Sequence, residues 1–400
     1  MLRGKHILIG ISGGIAAYKI PELIRLFVKA GAEVRVTTTK NALQFVTELT
    51  LQTLSGARVY TDVFAAINEH STEHISLPDW ADMMIVAPAT ANVLGKCAQG
   101  IADDALTTTF AATAARKPIL IAPAMNDKMY ENSAVQKAIS TLSSWRNIHL
   151  LDCAEGELAC GTIGKGRMQE PEAILEAADS LLTPKALRGK RVVITAGPTQ
   201  EKIDPVRFIS NYSTGKMGYA LAYECARRGA DVTLISGPVH LPLATYPLTR
   251  ISVTSAQEMC QAAKEQWANA DVAILCAAVA DFMPDTTASQ KIKKTPGQTT
   301  MNLSLVTTPD IAATLGQTKR PNQKLIGFAL ETHNEEQNAL SKLERKNMDM
   351  IVLNSLQDQG AGFGYDTNKV TIIRRDGQKN NLPLMSKQEV AEMIINSVEF

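Results

Sequence analysis

The sequence is short of aromatic residues, of net charge and of long apolar runs, and each shortage excludes something. Three Trp, eight Tyr and nine Phe among 400 residues leave a 45% hydrophobic content that is overwhelmingly aliphatic. That composition suits the extended core of a layered α/β protein. Forty-one Lys and Arg against forty Asp and Glu give a net charge of +1, so neither nucleic acid nor an anionic membrane is indicated as a partner. No apolar run approaches the ~20 residues that span a bilayer, and the N-terminus passes almost directly into a strand pattern, so the expectation is a cytoplasmic protein with no membrane association. The six cysteines, Cys97, Cys153, Cys160, Cys225, Cys260 and Cys276, show neither a Cys-x-x-Cys pair nor zinc spacing. They read as reduced thiols. Two nucleotide signatures are also missing: the Gly-x-Gly-x-x-Gly fingerprint of dinucleotide sites and the Walker spacing of P-loops.

What is present begins with length. Four hundred residues exceed one ordinary domain, and two domains of roughly 180 to 220 residues are expected. Residues 6–11 are apolar and β-branched, and 15–30 carry apolar residues at helical spacing, with Ser12, Gly13 and Gly14 between them. Free backbone N–H groups at a helix start, with no Cβ in the way and a hydroxyl beside them, make a phosphate cradle. The same two glycines also suffice for a tight βα turn. Strand 33–38 runs into Thr39, where a nicotinamide site would want a ribose-binding carboxylate, so a phosphorylated mononucleotide fits better than NAD.

Further strands are expected at 82–87, 118–122 and 147–151, with helices at 17–30, 42–55, 91–110 and 134–143. This alternation predicts a doubly wound parallel sheet. Residues 153–168 are too glycine-rich for a helix and too long for a turn, and read as a mobile flap. After helix 171–182 and a linker at 183–190, the pattern restarts: strands at 191–195, 231–235, 251–254, 271–276, 324–328 and 349–353 predict a second α/β sheet. The expected domains are residues 1–186 and 187–400. Residues 281–300 read as a long exposed loop, and 369–374 with 382–385 as a terminal hairpin.

Candidate chemistry falls at the strand ends. His74 precedes the third main strand and on its own is unremarkable. Thr90 and Asn92 follow that strand, where hydroxyl and amide groups serve equally as a helix cap or as ligand contacts. Asn126 follows the fourth strand and can hold a carboxylate or cap the next turn. Residues 204–218 gather hydroxyls, Asn211, two cations and glycines ahead of a helix at 219–228, another anion-binding arrangement. The run Lys291-Ile292-Lys293-Lys294 can be no more than a solvated basic loop.

Taken in order, Ser12 to Lys19, His74, Ala87-Pro88-Ala89-Thr90-Ala91-Asn92, Pro123-Ala124-Met125-Asn126 and Ala159-Cys160-Gly161 with Gly166-Arg167-Met168 resemble the decarboxylase half of one family. That family is the bifunctional phosphopantothenoylcysteine decarboxylase/phosphopantothenate-cysteine ligase of coenzyme A biosynthesis. Ile194 to Thr199, Asp204 to Arg207, Asn211 to Gly218, Ala277 to Asp281, Lys291 to Lys294 and Pro309-Asp310-Ile311 resemble its ligase half. Thr308 stands before Pro309 where the family usually has Asn.

The resemblance implies two Rossmann-like domains: an FMN-binding flavoprotein domain of the homo-oligomeric flavin-containing cysteine decarboxylase type, then a CTP-binding α/β ligase domain. It implies FMN at Ser12, Gly13, Gly14, Thr39, Thr90 and Asn92. His74 would be the base of an oxidative step, Asn126 the substrate anchor and Cys160 the proton donor to an enethiolate. Flavin would supply the electron sink, since an N-acylcysteine lacks one for loss of carbon dioxide. In the second half, phosphopantothenate would be activated by CTP with Mg2+ as an acyl-cytidylate, then attacked by cysteine. The resemblance puts Asn211 on the acyl intermediate and Lys291 on the triphosphate, with Ala277, Asp281, Pro309, Asp310, Ile311, Ala312, Phe328, Lys342 and Lys346 also at the nucleotide. It further suggests a homo-oligomer, with trimer and dimer contacts combining into a dodecamer. A flavoprotein decarboxylase with a non-catalytic, regulatory second domain remains as the alternative; a nicotinamide dehydrogenase is disfavoured by the missing fingerprint.

Overall fold

The computed structural model describes residues 2–64, 72–157, 163–241, 247–294, 296–331, 333–355 and 360–400. The chain divides into two compact units, Met1–Pro184 and Lys185–Phe400.

In the first unit the main strands are β1 (His6–Ile11), β2 (Glu33–Thr38), β3 (Val59–Tyr60), β4 (Met83–Ala89), β5 (Ile119–Pro123) and β6 (Ile148–Leu150). They pair in the order β3-β2-β1-β4-β5-β6, every pair parallel. Parallel neighbours require crossovers. These contain α1 (Ile20–Lys29), α2 (Glu48–Ser55), α3 (Glu73–Trp80), α4 (Ala91–Gln99), α5 (Ala105–Ala114), α6 (Asp127–Glu131) and α7 (Ser133–Ser143), and α8 (Pro171–Leu182) follows. Alternate side chains of each strand enter different cores, which is why the strands read as unbroken apolar runs. Ile7, Ile9, Met83, Ile85 and Leu120 pack with Phe27 of α1 and Ile174 of α8. Leu8, Met84, Val86, Ile119 and Ile121 pack on the other face with Leu94 of α4, Phe110 of α5 and Leu142 of α7.

Two local expectations are corrected. The helix expected over 91–110 is two helices, because Gly100 adopts a left-handed conformation (φ 72) that ends α4, and Asp104 opens α5 through a capping box with Thr107. Within 153–168, β7 (Ala154–Glu157) and β8 (Ile163–Arg167) pair as an antiparallel arm. Its base is anchored, since the Met125 N–H donates to the Gly166 carbonyl at 2.9 Å.

The second unit repeats the plan. Its strands are β9 (Arg191–Ala196), β10 (Gln200–Lys202), β11 (Phe208–Ser210), β12 (Asp231–Ser236), β13 (Thr249–Ser252), β14 (Val272–Leu275), β15 (Phe282–Pro284), β16 (Leu305–Thr307), β17 (Lys324–Glu331), β18 (Met350–Ser355), β19 (Thr367–Asn368), β20 (Val370–Arg374), β21 (Lys379–Asn381) and β22 (Met385–Ser386). The eight-stranded sheet runs β13-β12-β9-β14-β17-β18-β20-β21, parallel as far as β18 and antiparallel beyond it. Helices α9 (Lys216–Arg227) and α13 (Lys387–Asn396) cover one face; α10 (Ala256–Trp267), α11 (Ile311–Gln317) and α12 (Glu335–Arg345) cover the other. The stretch expected as a wholly exposed loop from 281 contains β15, which pairs with β16. A three-residue strand is too short to show a period.

One device recurs in both units. Asp82, Asp271 and Asp349 each stand immediately before a strand and accept the first N–H of a segment beside it, from His6 at 2.9 Å, Arg191 at 2.8 Å and Leu325 at 2.7 Å. An aspartate there satisfies an N–H that the ladder leaves open at the amino edge of the sheet.

Candidate active sites

Strand order in the first sheet reverses between β1 and β4, so their carboxyl ends frame the crevice in which such sheets bind ligands. Ser12, wholly buried, braces that junction. Its hydroxyl donates to the Pro88 carbonyl at 2.6 Å and accepts from the Thr90 N–H at 3.1 Å. The Ser12 hydroxyl is thus engaged within the protein, while the glycines after it bring the loop close to its neighbours. A Cβ on Gly13 would stand 2.5 Å from Asn41 Cβ, and one on Gly14 would stand 3.1 Å from Thr90 Cγ2.

A cavity of about 1270 Å³ opens at this crevice. Ser12, Gly13, Gly14, Thr39, Thr90 and Asn92 all line it, together with Asn126 and Met168. Thr39 presents a buried hydroxyl that has no hydrogen-bond partner in the structure. An unpaired buried hydroxyl at the end of β2 costs free energy unless a ligand meets it, so a phosphate fits this wall. Asn126 caps α6, its Oδ1 accepting from the Lys128 N–H at 3.0 Å, which orients the side chain while the residue still faces the cavity. Both readings of Asn126 are therefore compatible.

His74 is in the first turn of α3, half-buried, and is not among the residues lining this cavity. Cys160 lies outside the described residues. Burial pushes the thiols of Cys97 and Cys153 up to about 12 and about 11, so neither is a thiolate at neutral pH. Three residues without an assigned role meet at the cavity edge: Lys19 Nζ donates to both carboxylate oxygens of Glu170 at 2.7 Å, and Arg167 Nη2 donates to the same carboxylate at 3.1 Å. Lys19 and Arg167 both line the cavity. Glu170 thereby joins the turn after the glycines to the base of the arm. Its own sequence context, just before Pro171, signals only a helix start.

In the second sheet the order reverses between β9 and β14, and the expected ligase residues fall around those carboxyl ends. Asn211 Nδ2 donates to the Ala278 carbonyl at 3.0 Å, which ties the loop before α9 to the segment from Ala277 to Asp281. Thr308 joins the same segment to Pro309, its hydroxyl donating to the Ala280 carbonyl at 2.6 Å and its N–H to the Asp281 carbonyl at 3.0 Å. Asp310 caps α11, where Ile311 and Ala312 open the helix. Phe328 is half-buried in β17, and Lys291 is exposed on its loop.

Lys342 and Lys346 are ion-paired here, Lys342 with Glu331 at 2.6 Å and Lys346 with Asp310 at 2.9 Å. Glu331 was not anticipated, and nothing local to a strand end would single it out. No group of three or more metal-ligating His, Cys, Asp or Glu side chains occurs among the described residues. Cys97, Cys153, Cys225, Cys260 and Cys276 are free thiols. No helix among the described residues is long and apolar enough to cross a membrane.

Two family models match the chain, one described as Flavoprotein over residues 1–183 and one as DNA/pantothenate metabolism flavoprotein C-terminal domain over residues 187–399. The Coenzyme A biosynthesis bifunctional protein CoaBC of Bacillus subtilis is 49% identical over 401 residues, covering 100% of this chain and 97% of the relative. The chain belongs to the CoaBC family. The Vibrio cholerae CoaBC is 46% identical over 397 residues, 99% of this chain and 98% of that protein. A Cysteine/Cysteine sulfinic acid decarboxylase from an unknown prokaryotic organism is 49% identical over 358 residues, 88% of this chain and 98% of that one. The family assignment accounts for two α/β units, each with a crevice at the point where its strand order reverses.

Proposed function

We propose that this CoaBC family member converts 4'-phosphopantothenate to 4'-phosphopantetheine, ligating cysteine in the second domain with CTP and decarboxylating the product in the first with FMN. The boundary between the activities falls at residues 186 and 187. The observation that carries the reading is the convergence of Gly13, Gly14, Thr39, Thr90 and Asn92 on one cavity wall with an unpartnered buried hydroxyl on it.

FMN, when bound, supplies the electron sink that an acylated cysteine lacks. Backbone N–H groups of the Gly13-Gly14 turn and the Thr39 hydroxyl hold its phosphate, and Ser12 keeps that turn fixed against β4. Asn126 anchors the substrate, and Cys160 on the arm delivers a proton to the enethiolate. His74 takes the proton lost in the oxidative step. Since it does not line the cavity of its own chain, it serves a neighbouring copy, which agrees with a homo-oligomer built up to a dodecamer. In the ligase domain Asn211 binds the acyl-cytidylate and Lys291 neutralises the triphosphate. Lys342 and Lys346 exchange their carboxylates for phosphate oxygens, with a divalent cation such as Mg2+ carried in by the nucleotide. Ala277, Asp281, Phe328 and residues 309–312 shape the cytidine site. Unpaired cysteines place the protein in the cytoplasm.

A purified preparation should be yellow and release FMN on denaturation. Phosphopantothenate, cysteine and CTP should yield equal amounts of pyrophosphate and carbon dioxide. A colourless protein, or one that releases no pyrophosphate, would overturn the respective half of this reading. In Cys160→Ala, FMN should stay bound while carbon dioxide release outlasts formation of reduced product; wild-type yield of phosphopantetheine would remove Cys160 from the mechanism. The decarboxylase relative supports a second reading, with free cysteine or cysteine sulfinic acid as the substrate. It predicts carbon dioxide release from cysteine with neither phosphopantothenate nor CTP present.

A further inference from the structure

Asp204 lies in the turn between β10 and β11, yet only 1% of its surface is exposed. Its Oδ1 accepts the Val206 N–H at 2.8 Å and the Arg207 N–H at 2.9 Å. A turn-closing aspartate needs no more than that. The second oxygen reaches much further along the chain. Oδ2 accepts from Arg207 Nε at 3.0 Å, from Arg207 Nη2, and from the Ile292 N–H at 3.1 Å, while Arg207 Nη2 donates to the Ile292 carbonyl at 2.8 Å. Carboxylate and guanidinium together grip both backbone groups of one residue. Two hydrogen bonds to a single peptide position fix its orientation as well as its place.

The gripped residue directly follows Lys291. Upstream, the Ala288 N–H donates to the Ile203 carbonyl at 3.0 Å and the Thr287 hydroxyl to the Lys202 carbonyl at 3.2 Å. The segment leaving β15 is therefore stitched to the β10–β11 turn as far as Ile292, and Lys291, Lys293 and Lys294 are exposed around the last stitch. A lysine side chain is long and flexible, so where its charge can act is set by its nearest fixed backbone.

We propose that Asp204 is a positioning residue for the ligase reaction, holding Ile292 so that Lys291 is directed at the nucleotide instead of sweeping through solvent. The role rests on the reading of Lys291 as the triphosphate cation. Arg207 is the companion cation that keeps the Asp204 carboxylate ionised and supplies the second point of the grip.

The test is a double-mutant cycle on the full-length protein, read by CTP-dependent pyrophosphate release. Asp204→Asn keeps the shape of the side chain and removes the charge that accepts from Arg207 and Ile292. Release should fall by about ten- to a hundredfold, the loss expected for hydrogen bonds to a charged group. Because Asp204 acts through Lys291, the double variant with Lys291→Ala should be no slower than Lys291→Ala alone. Limited trypsin digestion reads the grip without catalysis: cleavage after Lys291, Lys293 or Lys294 should accelerate in Asp204→Asn, with bound flavin unchanged. Ile292→Pro, which deletes only the loop's N–H, should reproduce both effects and serves if Asp204→Asn does not fold. Multiplicative losses in the cycle, or unchanged cleavage in both variants, would overturn the positioning role. Wild-type release by Lys291→Ala would overturn the reading of the ligase site itself, and the role of Asp204 with it.

Discussion

Gly13→Ala is the sharpest probe of the flavin cradle, because it separates a glycine needed for room from one needed for backbone conformation. Gly13 and Gly14 are absent from the glycines with positive φ, and Gly14 is extended at φ −155, so alanine is conformationally acceptable at either position. Space decides instead. A Cβ on Gly13 would lie 2.5 Å from Asn41 Cβ and 2.9 Å from the Asn41 carbonyl carbon. Ordinary carbon contacts are about 3.5 to 4.0 Å, so the 12–14 turn and the 39–41 segment must part by roughly 1 Å. Overpacking of this kind costs about 1 to 3 kcal/mol. The free protein relieves it by opening the cradle, and the cost returns when the cradle closes on phosphate, so FMN affinity should drop by about five- to 150-fold. On Gly14 the nearest atom is a methyl, Thr90 Cγ2, at 3.1 Å, which can yield by a few tenths of an ångström. Gly14→Ala should lose about threefold or less. Titration of deflavinated protein with FMN, followed by quenching of flavin fluorescence, measures both. Equal affinity for wild type and Gly13→Ala, or a larger loss in Gly14→Ala, would refute the close-approach argument.

Three further outcomes are expected. Gly166→Ala would put a Cβ 2.3 Å from the Met125 carbonyl oxygen and push the arm off the segment leading to Asn126; decarboxylation should fall about tenfold or more with FMN still bound, and unchanged turnover would detach the arm from catalysis. Asn211→Asp removes the donor to the Ala278 carbonyl and sets a negative charge beside a phosphate-bearing intermediate; pyrophosphate release and cysteine transfer, assayed separately, should each fall about a hundredfold, and wild-type values in both would make the loop structural. Lys19 and then Arg167 hold the Glu170 carboxyl below its usual range. Its folded-state value is depressed, so its stabilisation is fully present above the unfolded carboxyl value of about 4.3 and is lost as pH falls through the folded one. Because Glu170 is half-exposed, Glu170→Gln should cost under about 1 kcal/mol at pH 7, and the gap from wild type in urea unfolding should close in acid. A gap that persists below that range would assign the effect to packing.

Much of the architecture was legible because buried parallel strands carry their own signal. Residues 6–11 and 33–38 are strands as the apolar and β-branched runs indicate, and 82–87 and 118–122 differ from Met83–Ala89 and Ile119–Pro123 only at the ends. The flavin-side residues were legible for a related reason: a glycine turn between a strand and a helix is one contiguous stretch, and the strand ends at Thr39, Thr90 and Asn126 must share an edge once the sheet is parallel. Only the tertiary structure decided which groups are already engaged. Ser12 bonds to Pro88 and Thr90, Lys19 to Glu170, Lys342 to Glu331, and Asp204 to Ile292, across separations of 76, 151, 11 and 88 residues where the shorter-lived sequence periods say nothing. A side chain's partner is set by where distant segments meet when the two faces of each sheet are covered. Helical and strand periodicities record which face a residue occupies, and carry no information about what stands opposite it.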